Sequence, residues 1–198
     1  MSDNETLGVY DRQAQDYADR FGGWEVNKHL AAFIDTLPNG AKILDLGCGP
    51  GFGTAAMKKA GLVVDAWDAS PEMARIGKDR LGLTIAVKGF DDLDAVDHYD
   101  GIYANFSLLH APKADMPGHL DRIATALKPG GLFHIGMKTG SGERRDGLGR
   151  FYAYYQDDEL TQLLSDVGLS VSHRTTGTEV GLAGTEDPWI IMRATKND

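Results

Sequence analysis

The sequence predicts an α/β domain built on an open, largely parallel sheet. Three observations predict it. A short apolar strand runs straight into a glycine-rich turn and a helix; further short apolar runs alternate with amphipathic stretches; and a carboxylate stands at the end of the second such run. Alternation of this kind is the pattern of strand–helix–strand units. With 198 residues, 42% of them apolar, the chain is long enough for one domain over 1–198 with a self-sufficient core.

The organising stretch is Ala41 to Thr54. Ile43, Leu44 and Leu46 make a strand too short for a helix, Gly47, Gly49, Gly51 and Gly53 alternate through a tight loop, and Thr54 to Ala60 is helical. Glycines there allow positive φ and let a ligand meet backbone rather than a Cβ. Amides at the start of the next helix favour anionic or polar ligand groups. A nucleotide-like ligand is therefore expected. Two registers compete for it. A dinucleotide fingerprint counted from Gly47 would need its third glycine where Phe52 stands. A formal match at Gly51, Gly53 and Ala56 begins well past the end of the strand, inside the helix.

Asp45-Leu46-Gly47-Cys48-Gly49-Pro50-Gly51 instead resembles the first motif, D-x-G-x-G-x-G, of the class I S-adenosylmethionine-dependent methyltransferases. The resemblance implies that this loop holds the methionine and ribose parts of the cofactor. It implies a Rossmann-like seven-stranded mixed sheet of order 3-2-1-4-5-7-6, the last strand antiparallel, with helices on both faces. Four segments follow: an N-terminal helical lid (1–37), a cofactor-binding core (41–137), a substrate loop (138–156), and a C-terminal helix and β-hairpin (157–198).

The elements follow in order. Tyr10, Ala14, Tyr17, Ala18 and Phe21 recur at helical spacing, Gly22-Gly23 breaks the run, and Trp24 to Leu37 resumes it before the Pro38-Asn39-Gly40 turn. Tyr10 and Tyr17 suit a stripe packed on the sheet. Tyr10, Asp11, Ala14 and Tyr17 also fit a Y-D-x-x-A-x-x-Y pattern that, in similar methyltransferases, places this helix over the pocket, with both tyrosines near substrate. Leu62 to Trp67 is the second strand and ends in Asp68, roughly 20 residues beyond Gly47, the interval expected of an acid that grips a ribose. Its carboxylate would accept charge-assisted bonds from two vicinal hydroxyls. Ser70 caps the next helix, Pro71 opens it, and the resemblance puts Ala69 and Met73 against the cofactor.

Leu83 to Val87 is the third strand. The resemblance assigns Phe90 to pack on the adenine and Asp91 to its amino group; an acidic surface loop is the alternative. Tyr99 to Ala104 is the fourth strand, and Asn105 to His110 should border the transferring methyl at the switch point of the sheet. Tyr99-Asp100-Gly101-Ile102-Tyr103-Ala104 through His110 is similar to F-D-G-I-W-A-x-x-S-L-L-H-x-P of bacterial small-molecule methyltransferases of the tellurite-resistance and ubiquinone-biosynthesis type. His110 has a pKa suited to proton transfer near neutrality, so it is the candidate base, or else a positioning residue. Met116 to Leu127 is an amphipathic helix, Leu132 to Met137 the fifth strand, and His134 a core histidine.

Lys138 to Tyr155 is glycine- and arginine-rich without clear periodicity and is expected to be a functional loop. It is similar to the G-x-x-E-R-x-x-x-G-R-Y-F segment of the same group, close to the acceptor pocket. Arg144, Arg145 and Arg150 suit an oxyanion of the substrate, and Tyr152 and Tyr155 its walls; the alternative is a solvated basic loop. Asp157 caps the last helix, over 157–167. Leu169 to Thr175 and Trp189 to Ala194 close the sheet, joined by a long glycine-rich connection.

Composition bounds the function. A net charge of −9 and an isoelectric point near 5.1 argue against a nucleic-acid partner and an anionic membrane surface. No apolar run approaches the roughly 18 residues of a membrane span, and no signal-peptide pattern opens the chain. The single cysteine, Cys48, excludes an internal disulfide and suits the cytoplasm. It sits in the loop as a small residue rather than as a nucleophile. The six histidines show no metal-ligand spacing, so no metal is expected. The sequence thus points to methyl transfer from S-adenosylmethionine, leaving S-adenosylhomocysteine, to a small and by preference anionic acceptor. A base matters only for a hydroxyl or a protonated amine. An NAD-dependent oxidoreductase and a non-catalytic S-adenosylmethionine-binding protein are the alternatives. Monomer and homodimer both remain open.

Overall fold

The computed structural model describes residues 3–21, 27–181 and 184–198. The elements are α1 (Asn4–Phe21), α2 (Lys28–Thr36), β1 (Lys42–Leu46), α3 (Phe52–Lys59), β2 (Val63–Asp68), α4 (Pro71–Leu81), β3 (Ala86–Val87), β4 (Tyr99–Asn105), α5 (Met116–Ala126), β5 (Leu127–Lys138), β6 (Glu143–Arg145), β7 (Phe151–Ala153), α6 (Asp157–Asp166), β8 (Leu169–Val180) and β9 (Glu186–Lys196). Seven strands form one sheet in the order β3-β2-β1-β4-β5-β9-β8. β1 to β5 pair in parallel, whereas β9 runs antiparallel between β5 and β8. This is the expected order, with β8 and β9 as its sixth and seventh strands.

Side-chain alternation along β1 sorts the core. Ile43 joins Phe33 of α2 and Met57 of α3 on one face. Leu44 and Leu46 join Leu120 and Ile123 of α5 and Leu160 and Leu164 of α6 on the other. The same alternation sends Asp45 to the α3 face. α1 lies outside these layers, its Ala14 and Ala18 packed on Met73 and Ile76 of α4.

Several boundaries differ from expectation. α2 begins at Lys28 because the Asn27 side chain caps it, accepting from the His29 and Leu30 amides; the expected break at Gly22-Gly23 and helix start at Trp24 lie outside the described residues. The third strand shrinks to Ala86–Val87. α6 is capped by Gln156, whose amide reaches the Glu159 carboxylate at 3.4 Å, so Asp157 is its first residue rather than its cap. β8 and β9 extend well past the apolar runs, since an antiparallel ladder continues through exposed polar residues. The expected irregular loop 138–156 contains a β6–β7 hairpin that pairs Glu143 with Ala153 and Arg145 with Phe151. Its β6 side chains are all exposed, so no apolar alternation announced it.

Candidate functional site

The cavity opens at the carboxyl ends of β1, β2 and β4, where Asp45, Gly47, Asp68 and Asn105 line it. Its floor is the glycine loop. Gly47 takes φ +75°, and a Cβ there would lie 2.3 Å from the Ser107 Cβ. Two amides, of Gly47 and Cys48, donate to the Trp67 carbonyl at 2.8 and 2.9 Å, and Ser107 Oγ donates to the Leu46 carbonyl at 2.7 Å. The loop is thus tied both to β2 and to the turn after β4. Gly49, at φ +56°, faces Tyr17 across the space a side chain would take.

Asp68 accepts one amide on each oxygen, Gly49 N at 2.7 Å and Ser70 N at 2.9 Å. Burial pushes its pKa up against these two bonds. A carboxylate oxygen has more than one lone pair, so both retain acceptor capacity toward the cavity. That matches a vicinal diol. Asp45 is buried beneath the loop and accepts from Thr54 Oγ1 at 2.6 Å. Desolvation raises it to about 7. A carboxyl raised from its unfolded value favours the folded chain when protonated, so Asp45 costs stability progressively from about pH 4 up to about pH 7. Asp45→Asn, which keeps an oxygen for Thr54, should therefore stabilise the protein more at pH 8 than at pH 5, by roughly 1–3 kcal/mol. Urea unfolding at the two pH values checks this.

Ala69, Met73, Lys88, Gly89 and Phe90 line the Asp68 end of the cavity, and Cys48 borders the loop. Burial holds the Cys48 thiol well above its ordinary pKa, which leaves it inert. Lys88 stands 4.2 Å over the Trp67 ring. Tyr10, Tyr17, Leu7, Phe106 and His110 line the other end. α1 therefore covers this end of the cavity, which Tyr10 and Tyr17 line.

Gly51 and Asp91 lie outside the cavity lining, whereas Asn105 is part of it. Gly51 caps α3 with φ +86°, and its Cβ position is filled by Leu83, so it shapes the loop from behind. Asp91 is exposed and turned to His119, 3.6 Å from Nδ1. Asn105 lines the cavity with its amide oriented by His134, whose Nε2 is 3.0 Å from Oδ1. Burial lowers His134 to about 3, so it is a neutral core group as expected.

The three arginines are spent within the fold. Arg144 stacks on Tyr154 at 3.7 Å. Arg145 pairs with Asp3 at 2.8 Å and Glu5 at 3.2 Å. Arg150, buried, pairs with Asp146 at 2.7 Å. None lines the cavity, which removes the basis for an anionic acceptor. Tyr152 is buried behind His110, ring to ring at 4.7 Å, and Tyr155 packs under Lys113; neither walls the cavity.

His110 is neutral and engaged. Its Nδ1 is 2.6 Å from the Phe151 carbonyl and so must donate; its Nε2 is 2.8 Å from the Tyr10 hydroxyl. Desolvation lowers it to about 4, which leaves Nε2 as the acceptor of the Tyr10 proton. Three further residues were not singled out from the sequence, although Phe106 falls within the 105–110 stretch expected beside the methyl. Phe106 lines the cavity at φ +57°, a strained value for an aromatic residue. Thr6 receives the Phe151 amide on its hydroxyl. Asp146 organises the hairpin loop, accepting the Leu148 and Arg150 amides.

A family model described as a methyltransferase domain matches residues 43–131. The ubiquinone biosynthesis O-methyltransferase of Xanthomonas axonopodis pv. citri is 31% identical over 105 residues, 50% of this chain and 43% of that protein. The match thus spans less than half the length of the curated relatives. Among solved structures, the Burkholderia thailandensis 1,6-didemethyltoxoflavin-N1-methyltransferase, with 1,6-didemethyltoxoflavin and S-adenosylhomocysteine bound, is 25% identical. It covers 98% of this chain and 88% of its own at a TM-score of 0.78. A TehB-like methyltransferase from Corynebacterium glutamicum shares the fold at 20% identity, covering 94% and 99% with a TM-score of 0.71. The methyltransferase-domain match over residues 43–131 and the fold shared with these enzymes agree with the resemblance to class I S-adenosylmethionine-dependent methyltransferases. The dinucleotide register finds no support: Gly53 and Ala56 lie inside α3. Among the described residues, no helix is long and apolar enough to cross a membrane.

Proposed function

We propose that the chain transfers a methyl group from S-adenosylmethionine to a small, uncharged aromatic acceptor. The observation that carries this is the character of the cavity end away from Asp68. Leu7, Tyr10, Phe106 and His110 line it, and the arginines nearest to it are committed to Asp3, Glu5 and Asp146. A carboxylate or phosphate there would be desolvated without a counter-charge, which costs several kcal/mol. The bound 1,6-didemethyltoxoflavin of the Burkholderia thailandensis enzyme supports a flat heterocycle as the acceptor type. The acidic surface and single cysteine support a cytoplasmic protein acting on small molecules rather than nucleic acid.

Asp68 would hold the ribose hydroxyls, Gly47 to Gly49 would pass along the methionine and ribose, and Met73 and Phe90 would flank the adenine. S-adenosylmethionine would supply an electrophilic methyl to an in-line acceptor lone pair, the new bond forming as the methyl–sulfur bond breaks and S-adenosylhomocysteine leaves. The protein's part is alignment and exclusion of water, worth several kcal/mol. α1 covers the cavity, Tyr10 and Phe106 place the acceptor, and the Asn105 amide faces it from the end of β4. His110 Nε2 already holds the Tyr10 proton, so the acceptor best suited is one whose nitrogen or oxygen offers a lone pair without prior deprotonation.

Transfer of tritiated methyl from S-adenosylmethionine tests the reading. The panel pairs neutral heteroaromatics such as lumazine with anionic aromatics such as 4-hydroxybenzoate. Labelling of the neutral set at least tenfold faster is expected. Labelling confined to the anions would overturn the acceptor class.

A further inference from the structure

Tyr10 sits on α1, yet its hydroxyl is held from two sides by groups outside it. His110 Nε2 lies 2.8 Å away and Arg150 Nη1 3.2 Å away. Arg150 is aimed by Asp146, whose Oδ2 accepts from its Nε and Nη2 at 2.9 and 2.7 Å. Asp146 Oδ1 takes the Leu148 and Arg150 amides at 3.0 Å each, so the turn between β6 and β7 is built around this one carboxylate. The hairpin also grips the start of α1, through Arg145 to Asp3 and through the Phe151 amide to Thr6 Oγ1. The His110 ring completes the circuit, since its Nδ1 donates to the Phe151 carbonyl.

We propose that Asp146 and Arg150 are positioning residues that, through Tyr10 and His110, hold α1 shut over the cavity while His110 is neutral. Protonation of His110 releases the lid. A protonated Nε2 has no lone pair to accept the Tyr10 proton, and the imidazolium would face the Arg150 guanidinium. The groups around the ring are Tyr10 from α1, the Phe151 carbonyl and Tyr152 from β7, Arg150 and Asp146 from the hairpin turn, and Lys138 from the end of β5. Lys138 is itself paired with Asp187 of β9 at 2.6 Å.

Burial in the shut form lowers His110 to about 4, against about 6.5 for a histidine in water. The shut form is thus fully favoured above about pH 6.5 and loses up to tenfold per pH unit as pH falls toward 4. The Asp3 clasp on Arg145 does not titrate in that window, since Arg145 holds the Asp3 carboxyl well below the usual range.

Hydrogen exchange across α1, corrected for the intrinsic pH dependence of exchange, tests the latch without any ligand and so independently of the cofactor reading. In the wild type, protection of α1 should fall at least tenfold between pH 7.5 and pH 5. Tyr10→Phe, which keeps the ring, should lower protection at pH 7.5 and abolish that extra fall. His110→Gln keeps an oxygen to accept the Tyr10 proton but cannot titrate there; it should hold protection that no longer responds to pH. Asp146→Asn should lower protection at pH 7.5 in the same direction as Tyr10→Phe. Exchange in β4 and β5 reports that each variant is folded. Unchanged α1 protection in Tyr10→Phe, or a wild type indifferent to pH, would overturn the proposal. The dissociation rate of S-adenosylhomocysteine, followed at the same pH values, should rise as α1 protection falls.

Discussion

Asp68→Ala is expected to weaken S-adenosylhomocysteine binding roughly 10- to 100-fold, the loss of a charged hydrogen-bonding group worth about 1.5–3 kcal/mol. The effect is large because the carboxylate is positioned before any ligand arrives: Gly49 N and Ser70 N fix both oxygens, so no rotamer entropy remains to be lost on binding. Asp91→Ala, which removes an equal charge from the next loop, should leave affinity within about twofold, because that carboxylate turns to His119 instead of the cavity. Calorimetry on the two variants side by side separates a local contact from the general electrostatic field. Equal losses in both would remove Asp68 from its assigned role.

Gly47→Ala is expected to be the most damaging single methyl in the molecule. The backbone there stands at φ +75°, which costs a non-glycine residue about 1–2 kcal/mol. The added Cβ would also meet the Ser107 Cβ at 2.3 Å, a backbone-proximal atom that no rotamer change can move. Together these predict at least about 3 kcal/mol lost from unfolding stability. Gly82→Ala separates the two causes: φ there is +65° but nothing lies within 4 Å, so only the backbone cost of about 1 kcal/mol should appear. Urea midpoints of the two variants give the comparison, and a Gly47→Ala no worse than Gly82→Ala would contradict the close packing of loop and turn.

Much of the parallel half of the fold was legible, because its signals are local. Ile43, Leu44 and Leu46 run into glycines that can do little else, Ser70-Pro71 announces α4, and the interval from Gly47 to Asp68 joins two strands that do pair. What lay across the chain was not legible. Arg145 and Arg150 looked like free cations because Asp3 and the ring of Tyr10 that meet them stand far away in sequence or, for Asp146, inside a turn with no apolar pattern. His110 stayed open between base and positioning residue for the same reason: its two partners come from α1 and β7, and only their joint presence fixes its tautomer. Phe106 lay within the 105–110 stretch expected beside the methyl, but its αL conformation was not legible, since that conformation at an aromatic residue leaves no trace in composition.

The measurement that bears most directly on the account is calorimetric titration of the purified chain with S-adenosylmethionine, S-adenosylhomocysteine and NAD. Micromolar binding of the first two with none for NAD is predicted by a loop whose glycine register does not suit a pyrophosphate and by the ribose-binding role proposed for Asp68. Binding of NAD alone would contradict it.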